Sequence, residues 1–173
     1  MQDGQERGKA AVEIRASGRE DEAAVGEINR QAFGGEAEAD LVAALRREGD
    51  AVIELVALEA GEPLGHILLS PLLAPEGSLA LAPLAVLPRA QGRGIGSALV
   101  RAALQEARRQ GWKAVFVLGE PAYYGRFGFS AALAGPFETP FPPEAFQALE
   151  LETGALKGKA CRLRYAAPFD ALG

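Results

Sequence analysis

The chain has 173 residues, 49% of them hydrophobic and 24% charged, which suffices for one domain with its own core. Its formal net charge is −5, so it lacks the positive field that a general nucleic-acid binder needs to neutralise phosphates. With one cysteine, Cys161, and one histidine, His66, it offers no intramolecular disulfide and too few soft ligands for a zinc site, so no metal is expected.

Residues 1–11 are polar and have the pattern of neither a signal peptide nor a membrane span. The matching expectations are a flexible extension over 1–11, a domain over 12–166, a cytoplasmic location, and no membrane or nucleic-acid partner. Residues 12–16 alternate weakly and predict a first strand. Glu20, Asp21 and Glu22 then open a helix, where carboxylates suit the positive end of the dipole, and Val25, Ile28, Ala32 and Phe33 follow at helical spacing up to Gly34-Gly35. Helical spacing resumes over 36–48 through Ala39, Leu41, Val42 and Leu45, and Gly49 ends it. Two strands follow at 51–58 and 64–69, joined by a turn at Gly61-Glu62-Pro63. Gly77 marks the next turn, and 79–87 reads as a strand. Within it Pro83 cannot donate to a ladder, which demands an edge position or a bulge.

Residues 95–110 form the clearest helix. Ile95, Leu99, Ala103 and Ala107 recur every four residues, Ser97, Arg101, Gln105 and Arg108 line a polar face, and Gly111 is the stop. A buried strand over 112–118, starting at Trp112, and a short helix over 122–127 come next. Pro136, Pro140, Pro142 and Pro143 make a loop. Residues 146–151 and 161–165 predict two late strands joined through 154–158, with Cys161 as a core residue.

The strand 79–87, the turn 88–93, the helix 94–110 and the strand 112–118 compose a β-α-β unit. Its turn reads Gln91-Gly92-Arg93-Gly94-Ile95-Gly96. Glycines at alternate positions let backbone N–H groups crowd round an anion without Cβ atoms in the way, the helix adds its positive end, and Arg93 adds charge. Ser97 stands where a dinucleotide fingerprint needs glycine, and no Gly-Lys-Ser/Thr triplet exists for a P-loop. A pyrophosphate site of another kind remains, beside the plainer alternative of a tight turn that binds nothing.

These residues resemble the GNAT superfamily of N-acetyltransferases, whose acetyl-CoA motif Q/R-x-x-G-x-G/A is matched by Gln91, Gly94 and Gly96. Leu84-Ala85-Val86 stands where that family has its bulged fourth strand, and residues 122–129 resemble its tyrosine-containing helix ending in Gly-Phe. The wording of 118–129 is similar to the bacterial YhbS-like acetyltransferases. The resemblance is dense over 79–129 and looser over 12–165. It implies an α/β (α+β) fold: a single domain with a mixed, mostly antiparallel sheet of about six to seven strands, about four flanking helices, and fourth and fifth strands splayed into a cofactor slot. Two departures stand out. Gly119-Glu120-Pro121 replaces a cofactor-contacting asparagine found in many members, and the proline-rich stretch 135–143 exceeds the usual connection, which implies that it shapes the substrate side.

By resemblance the donor is acetyl-CoA, and the acceptor is a primary amine, on a small molecule or a protein, that attacks the thioester directly. The backbone of Gln91, Gly92, Arg93, Gly94, Ile95 and Gly96, with Ser97, would hold the pyrophosphate, and the backbone of Leu84, Ala85 and Val86 would pair with the pantetheine arm. The Val86 N–H is the implied oxyanion donor, a role worth about 3–4 kcal/mol. Tyr124, five residues before Phe129, is the implied acid for the thiolate. A phenol of pKa ~10 gives its proton to a thiolate of pKa ~8.5 at a cost of roughly 2 kcal/mol, so hydrogen bonding is expected to dominate. Packing beside Phe127 and Phe129 is the alternative for Tyr124, and Tyr123 points about 100° away from it. His66 is the base candidate by its titration range, against a structural role in an apolar strand, with Glu120, Glu54 and a water chain behind it. A non-catalytic acyl-CoA-binding module with the same fold is the rival from another class. A homodimer is compatible with the sequence, but no pattern selects it.

Overall fold

In chain order the elements are β1 Val12–Ala16, α1 Glu22–Phe33, α2 Ala37–Arg47, β2 Ile53–Glu59, β3 Glu62–Pro71, β4 Ser78–Val86, α3 Ile95–Arg109, β5 Ala114–Leu118, α4 Pro121–Tyr124, α5 Ala131–Ala134 and β6 Phe146–Glu150. The structure is a computed structural model that describes residues 11–172, so all of the expected N-terminal extension except Ala11 lies outside the described residues. The six strands form one sheet in sequence order. Every neighbouring pair is antiparallel except β4 and β5, which run parallel because α3 carries the chain back across the sheet.

Strand alternation assigns the two faces. One face takes α3, whose buried stripe of Ile95, Leu99, Val100, Ala103 and Ala107 shares a cluster with Ile67, Leu79, Val115 and Val117. A Cβ at Gly65 would stand 3.0 Å from both Ile95 and Leu99, so glycine is what lets α3 lie this close to β3. The other face packs Val56, Leu58 and Leu68 against Val25, Leu41, Val42 and Leu45 of α1 and α2. A third cluster, around Phe116, Phe137 and Phe146, lies towards β6 and the C-terminal segment. Each large apolar side chain removed from water in these layers contributes about 1.5–3 kcal/mol of transfer energy.

Several elements differ from expectation. The β2–β3 turn is Ala60-Gly61, with φ of 50° and 79°, so Glu62 and Pro63 already belong to β3. Pro63 is tolerated there because the register slips beside its partner Leu58, where a missing donor breaks no regular ladder. Residues 161–165 make no strand. Arg162 and Arg164 form only isolated bridges, to Glu138 and Ala74, and the sheet stops at six strands. Trp112 precedes β5, half-buried, and its indole N–H donates to Gln110 Oε1 at 3.0 Å. Ser97 leaves the polar face of α3 and is buried. Helix α5 and a closing 3-10 turn, Ala167–Leu172, had no distinct sequence pattern. Among the described residues, no helix is long and apolar enough to cross a membrane, and no group of three or more His, Cys, Asp or Glu gathers as for a metal.

Candidate active site

The site begins where two strands part. β4 pairs with β5 only from Ser78–Ala114 to Ala80–Phe116. Beyond that, Ala82 and Pro83 are displaced from the register with β3, which jumps from Leu69–Leu81 to Ile67–Leu84. Pro83 therefore sits at a bulge in a central strand, and its missing donor falls where no ladder bond is needed. Leu87 N donates to Leu64 O at 2.9 Å, so alternation turns the backbone of Ala85 towards β3 as well. The N–H and C=O groups of Leu84 and Val86 then face the gap on the β5 side, and the Val86 carbonyl accepts from Gln91 Nε2 at 3.1 Å.

The glycine turn lies at one end of this gap. Gly92 and Gly94 have φ of 78° and 81°, a left-handed conformation that glycine adopts without steric cost. Ala98 N–H makes the first helical bond, to Gly94 O at 3.0 Å, so the N–H groups of Ile95, Gly96 and Ser97 have no intrahelical partner, and no side chain caps the helix. These donors and the positive end of α3 border a cleft of about 420 Å³ that also meets Leu84, Val86, Tyr123 and Arg126. A Cβ at Gly96 would come within 3.1 Å of Tyr123 Oη, so a side chain at residue 96 would crowd the cleft. The cleft thus fits a pyrophosphate: backbone donors converge and one basic side chain, Arg126, borders it, whereas Arg93, expected to add charge there, does not line it. Arg93 pairs with Glu59 across the turn, while the Arg126 guanidinium lies 4.8 Å from the centre of the Tyr123 ring.

The two adjacent tyrosines serve different sides. Tyr123 faces the glycine cleft, with its hydroxyl 3.2 Å from Ser97 Oγ. Tyr124 borders a second, larger cavity at the other end of the gap. Its ring packs edge-on to Tyr123 at 5.0 Å and to Phe129 at 5.7 Å, so it is held by aromatic packing as well as presented to a cavity. Burial pushes its phenol up to about 12, and it remains a hydrogen-bond donor across the neutral range. A Cβ at Gly119 would lie 2.4 Å from the Tyr124 ring. The absence of a side chain at 119 thus makes room for the tyrosine.

His66 lies elsewhere. It points away from α3, is fully buried, and sits between Asn29 Nδ2 at 3.2 Å from its Nδ1 and Glu54 Oε2 at 2.7 Å from its Nε2. Burial lowers its pKa despite the Glu54 carboxylate. The carboxyl of Glu54 is also opposed by burial, but hydrogen bonds from His66 and Arg46 hold it below its usual range. A neutral imidazole that donates Nε2–H to Glu54 and accepts from Asn29 at Nδ1 fits both shifts. Both ring nitrogens are then engaged, which leaves His66 no lone pair for a substrate. Glu54 is committed to Arg46 at 2.9 Å, and Glu120 is an exposed residue at the start of α4 that borders neither cavity. The expectation that His66 supplies the base finds no geometric support.

The larger cavity, of about 920 Å³, was not legible in the sequence beyond the hint of its proline-rich wall. Its floor is formed by β4 from Ala80 to Leu84 together with Phe116 of β5, where the strands part. Its walls come from the α1–α2 junction, Pro140 and Phe141 of the proline-rich stretch, and the C-terminal segment from Arg162 to Leu172. Leu84 borders both cavities, so they meet across the gap.

Comparison with known proteins gives this geometry a context. Residues 22–129 match the acetyltransferase (GNAT) family. The chain is 38% identical over 136 residues to the uncharacterised N-acetyltransferase YjhQ of Escherichia coli K12, covering 70% of this chain and 72% of that protein. It is 35% identical over 147 residues to YhbS of the same organism, covering 82% and 88%. The crystal structure of Escherichia coli YhbS in complex with CoA superposes with a TM-score of 0.88 at 32% identity over 95% of this chain and 94% of that one. A Brucella melitensis GNAT family acetyltransferase in complex with acetyl-CoA follows at 0.80 and 33%, covering 92% and 99%.

Proposed function

The chain belongs to the acetyltransferase (GNAT) family, and from that membership we propose that it transfers an acetyl group from acetyl-CoA to a primary amine by direct attack within a ternary complex. The observation that carries this reading is the parting of β4 from β5 between the glycine turn and Tyr124. The N–H groups of Ile95, Gly96 and Ser97 would hold the pyrophosphate, supported by Gly92, Gly94 and the charge of Arg126, and the Leu84 and Val86 backbone would pair with the pantetheine arm. Bound acetyl-CoA supplies an activated thioester carbonyl carbon.

The Val86 N–H faces the gap and is our candidate donor to the negative charge that develops on the carbonyl oxygen. Tyr124 is our candidate donor to the departing sulfur. With its phenol near 12 and a thiol near ~8.5, complete transfer from tyrosine alone is uphill by roughly 5 kcal/mol. The proton balance resolves this: the attacking amine loses a proton as the thiolate gains one. Tyr124 can pass it along, giving its hydroxyl proton to sulfur while accepting another, with no net change at the tyrosine.

Thermal unfolding with millimolar acetyl-CoA, followed by release of CoA thiol in the presence of amines, tests the reading. A raised melting temperature is expected, as for any native-state ligand. Tyr124→Phe is expected to lower kcat about 10–100-fold while leaving the acetyl-CoA KM within about twofold. Absence of a melting shift would overturn the donor site, and unchanged turnover in Tyr124→Phe would remove Tyr124 from the chemistry. Binding with no turnover on any amine would favour the non-catalytic module.

A further inference from the structure

We infer that the larger cavity is an acceptor site for a monocationic amine carried on an extended apolar body, an alkyl- or arylalkylamine, rather than for a polyamine, an aminoglycoside or a basic protein tail. The inference rests on the transferase reading for its location and goes beyond it in naming the substrate class. Four large apolar side chains stand out as exposed among the described residues: Phe33, Leu73, Leu118 and Leu172, with relative exposures of 46%, 53%, 46% and 46%. They come from four distant parts of the chain, and all four border this one cavity. Exposed apolar residues scattered singly need no explanation, but their convergence on a single concave mouth marks a binding surface.

Below the mouth the apolar character continues to the floor. Leu41, Phe141 and Phe169 carry it inward to Leu81 and Phe116, next to Tyr124 and the point where β4 leaves β5. An amine reaching the thioester through this space passes the apolar side chains of Leu41, Phe141 and Phe169, against which a hydroxyl- or amine-rich body would lose hydration that an alkyl body does not carry. The charged residues sharpen the class. The carboxylates of Glu38 and Asp170 are balanced by Arg162 and Arg164, so the lining carries no net negative charge to favour a polycation, and none of the four is in an ion pair with another described residue. The concavity separates this site from a flat self-association surface, because a second copy covering the mouth would not reach the floor.

The test uses the full chain with acetyl-CoA and the series ethylamine, butylamine, hexylamine, phenethylamine and spermidine, read as CoA thiol release. Burial of each methylene predicts up to roughly a fourfold gain in kcat/KM, so hexylamine should exceed ethylamine at least tenfold, with phenethylamine close behind and spermidine lowest. Phe33→Asp and Leu118→Asp, both at exposed positions, should each collapse that chain-length dependence at least fivefold while the melting shift with acetyl-CoA persists. Equal rates along the alkyl series, or spermidine as the best acceptor, would overturn the apolar site while leaving the transferase intact. A dependence on acyl length instead, with hexanoyl-CoA preferred over acetyl-CoA and rates insensitive to the amine, would assign the cavity to the acyl chain and overturn it also. A doubled mass in light scattering that Leu118→Asp returns to monomer would reassign the patch to a dimer interface. If hexylamine raises the melting temperature of the acetyl-CoA complex, and does so less in Phe33→Asp, yet no thiol is released, the site stands and the transferase reading fails.

Discussion

The two cavities that meet at Leu84 are built by opposite means. The glycine cleft comes from a nearly continuous stretch, 84 to 97, joined by Tyr123 and Arg126, and its working groups are backbone donors. The larger cavity gathers side chains from Phe33 to Leu172, and no single pair of adjoining elements encloses it. Backbone geometry in a short turn follows from local chemistry, since a left-handed φ and a bare helix end are set by glycine within a few residues. A side-chain cavity depends on which distant segments the core brings together, and its chemistry can change without disturbing the turn.

Three substitutions probe that contrast, the largest expected effect first. Gly94→Val forces a β-branched residue to φ 81° at the start of α3, at a cost of about 1–3 kcal/mol in stability. Because it also turns the N–H groups away from the cleft, the acetyl-CoA-dependent melting shift should disappear. Retention of a full shift in that variant would mean that the turn is not the anchor. Gly119→Ala touches neither cavity wall by its own side chain, yet it must move the Tyr124 ring, now 2.4 Å from the added Cβ. Turnover should fall about tenfold with acetyl-CoA affinity within about twofold, and the loss should not add to that of Tyr124→Phe, since both act through one ring. Additive losses would show that Gly119 works by another route and would blur the line between the two sides.

The smallest effect concerns the buried set behind β3. The folded pKa of His66 lies below its ordinary 6.5, so its contribution to stability is present above 6.5 and is lost as pH falls below that value. Glu54 and Asp21, whose carboxyls are also held low, contribute with the same sign but only at the more acidic end. Melting temperature should therefore drop by a few degrees between pH 7.5 and 5.5, and His66→Gln should flatten that slope while the chemistry retains its own pH profile. If His66→Gln instead removes the acidic limb of the pH–rate curve, the imidazole reaches the reaction after all.

The contrast between local and distant construction also explains what could be read beforehand. Ile95–Arg109, the break at Gly34 and the glycine-rich turn before α3 were legible because periodicity, glycine and proline act within one or two turns of chain. Pro83 announced a bulge, but only the sheet order shows that the bulge lies in a central strand that separates from β5 after Ala80. Residues 161–165 have alternating character and still form no strand, because Glu138 and Ala74 each offer one partner rather than a ladder. His66 in an apolar strand could be a base or a core residue, and the choice fell to Asn29 and Glu54, 37 positions before it and 12 positions before it, which take up both ring nitrogens.

By itself, the amino-acid sequence determined the main helices and most strands, the glycine-rich turn and the tyrosine pair, since these follow from the spacing of apolar residues and from the freedom of glycine. Tertiary structure alone decided that Tyr123 serves one cavity and Tyr124 the other, that Gly119 makes room for a ring, and that Phe33, Leu73, Leu118 and Leu172 share one mouth. The physical reason is range. A backbone conformation is selected by a residue and its neighbours, whereas a cavity is what remains after layers from the whole chain have packed, and its lining carries no signature in any one segment.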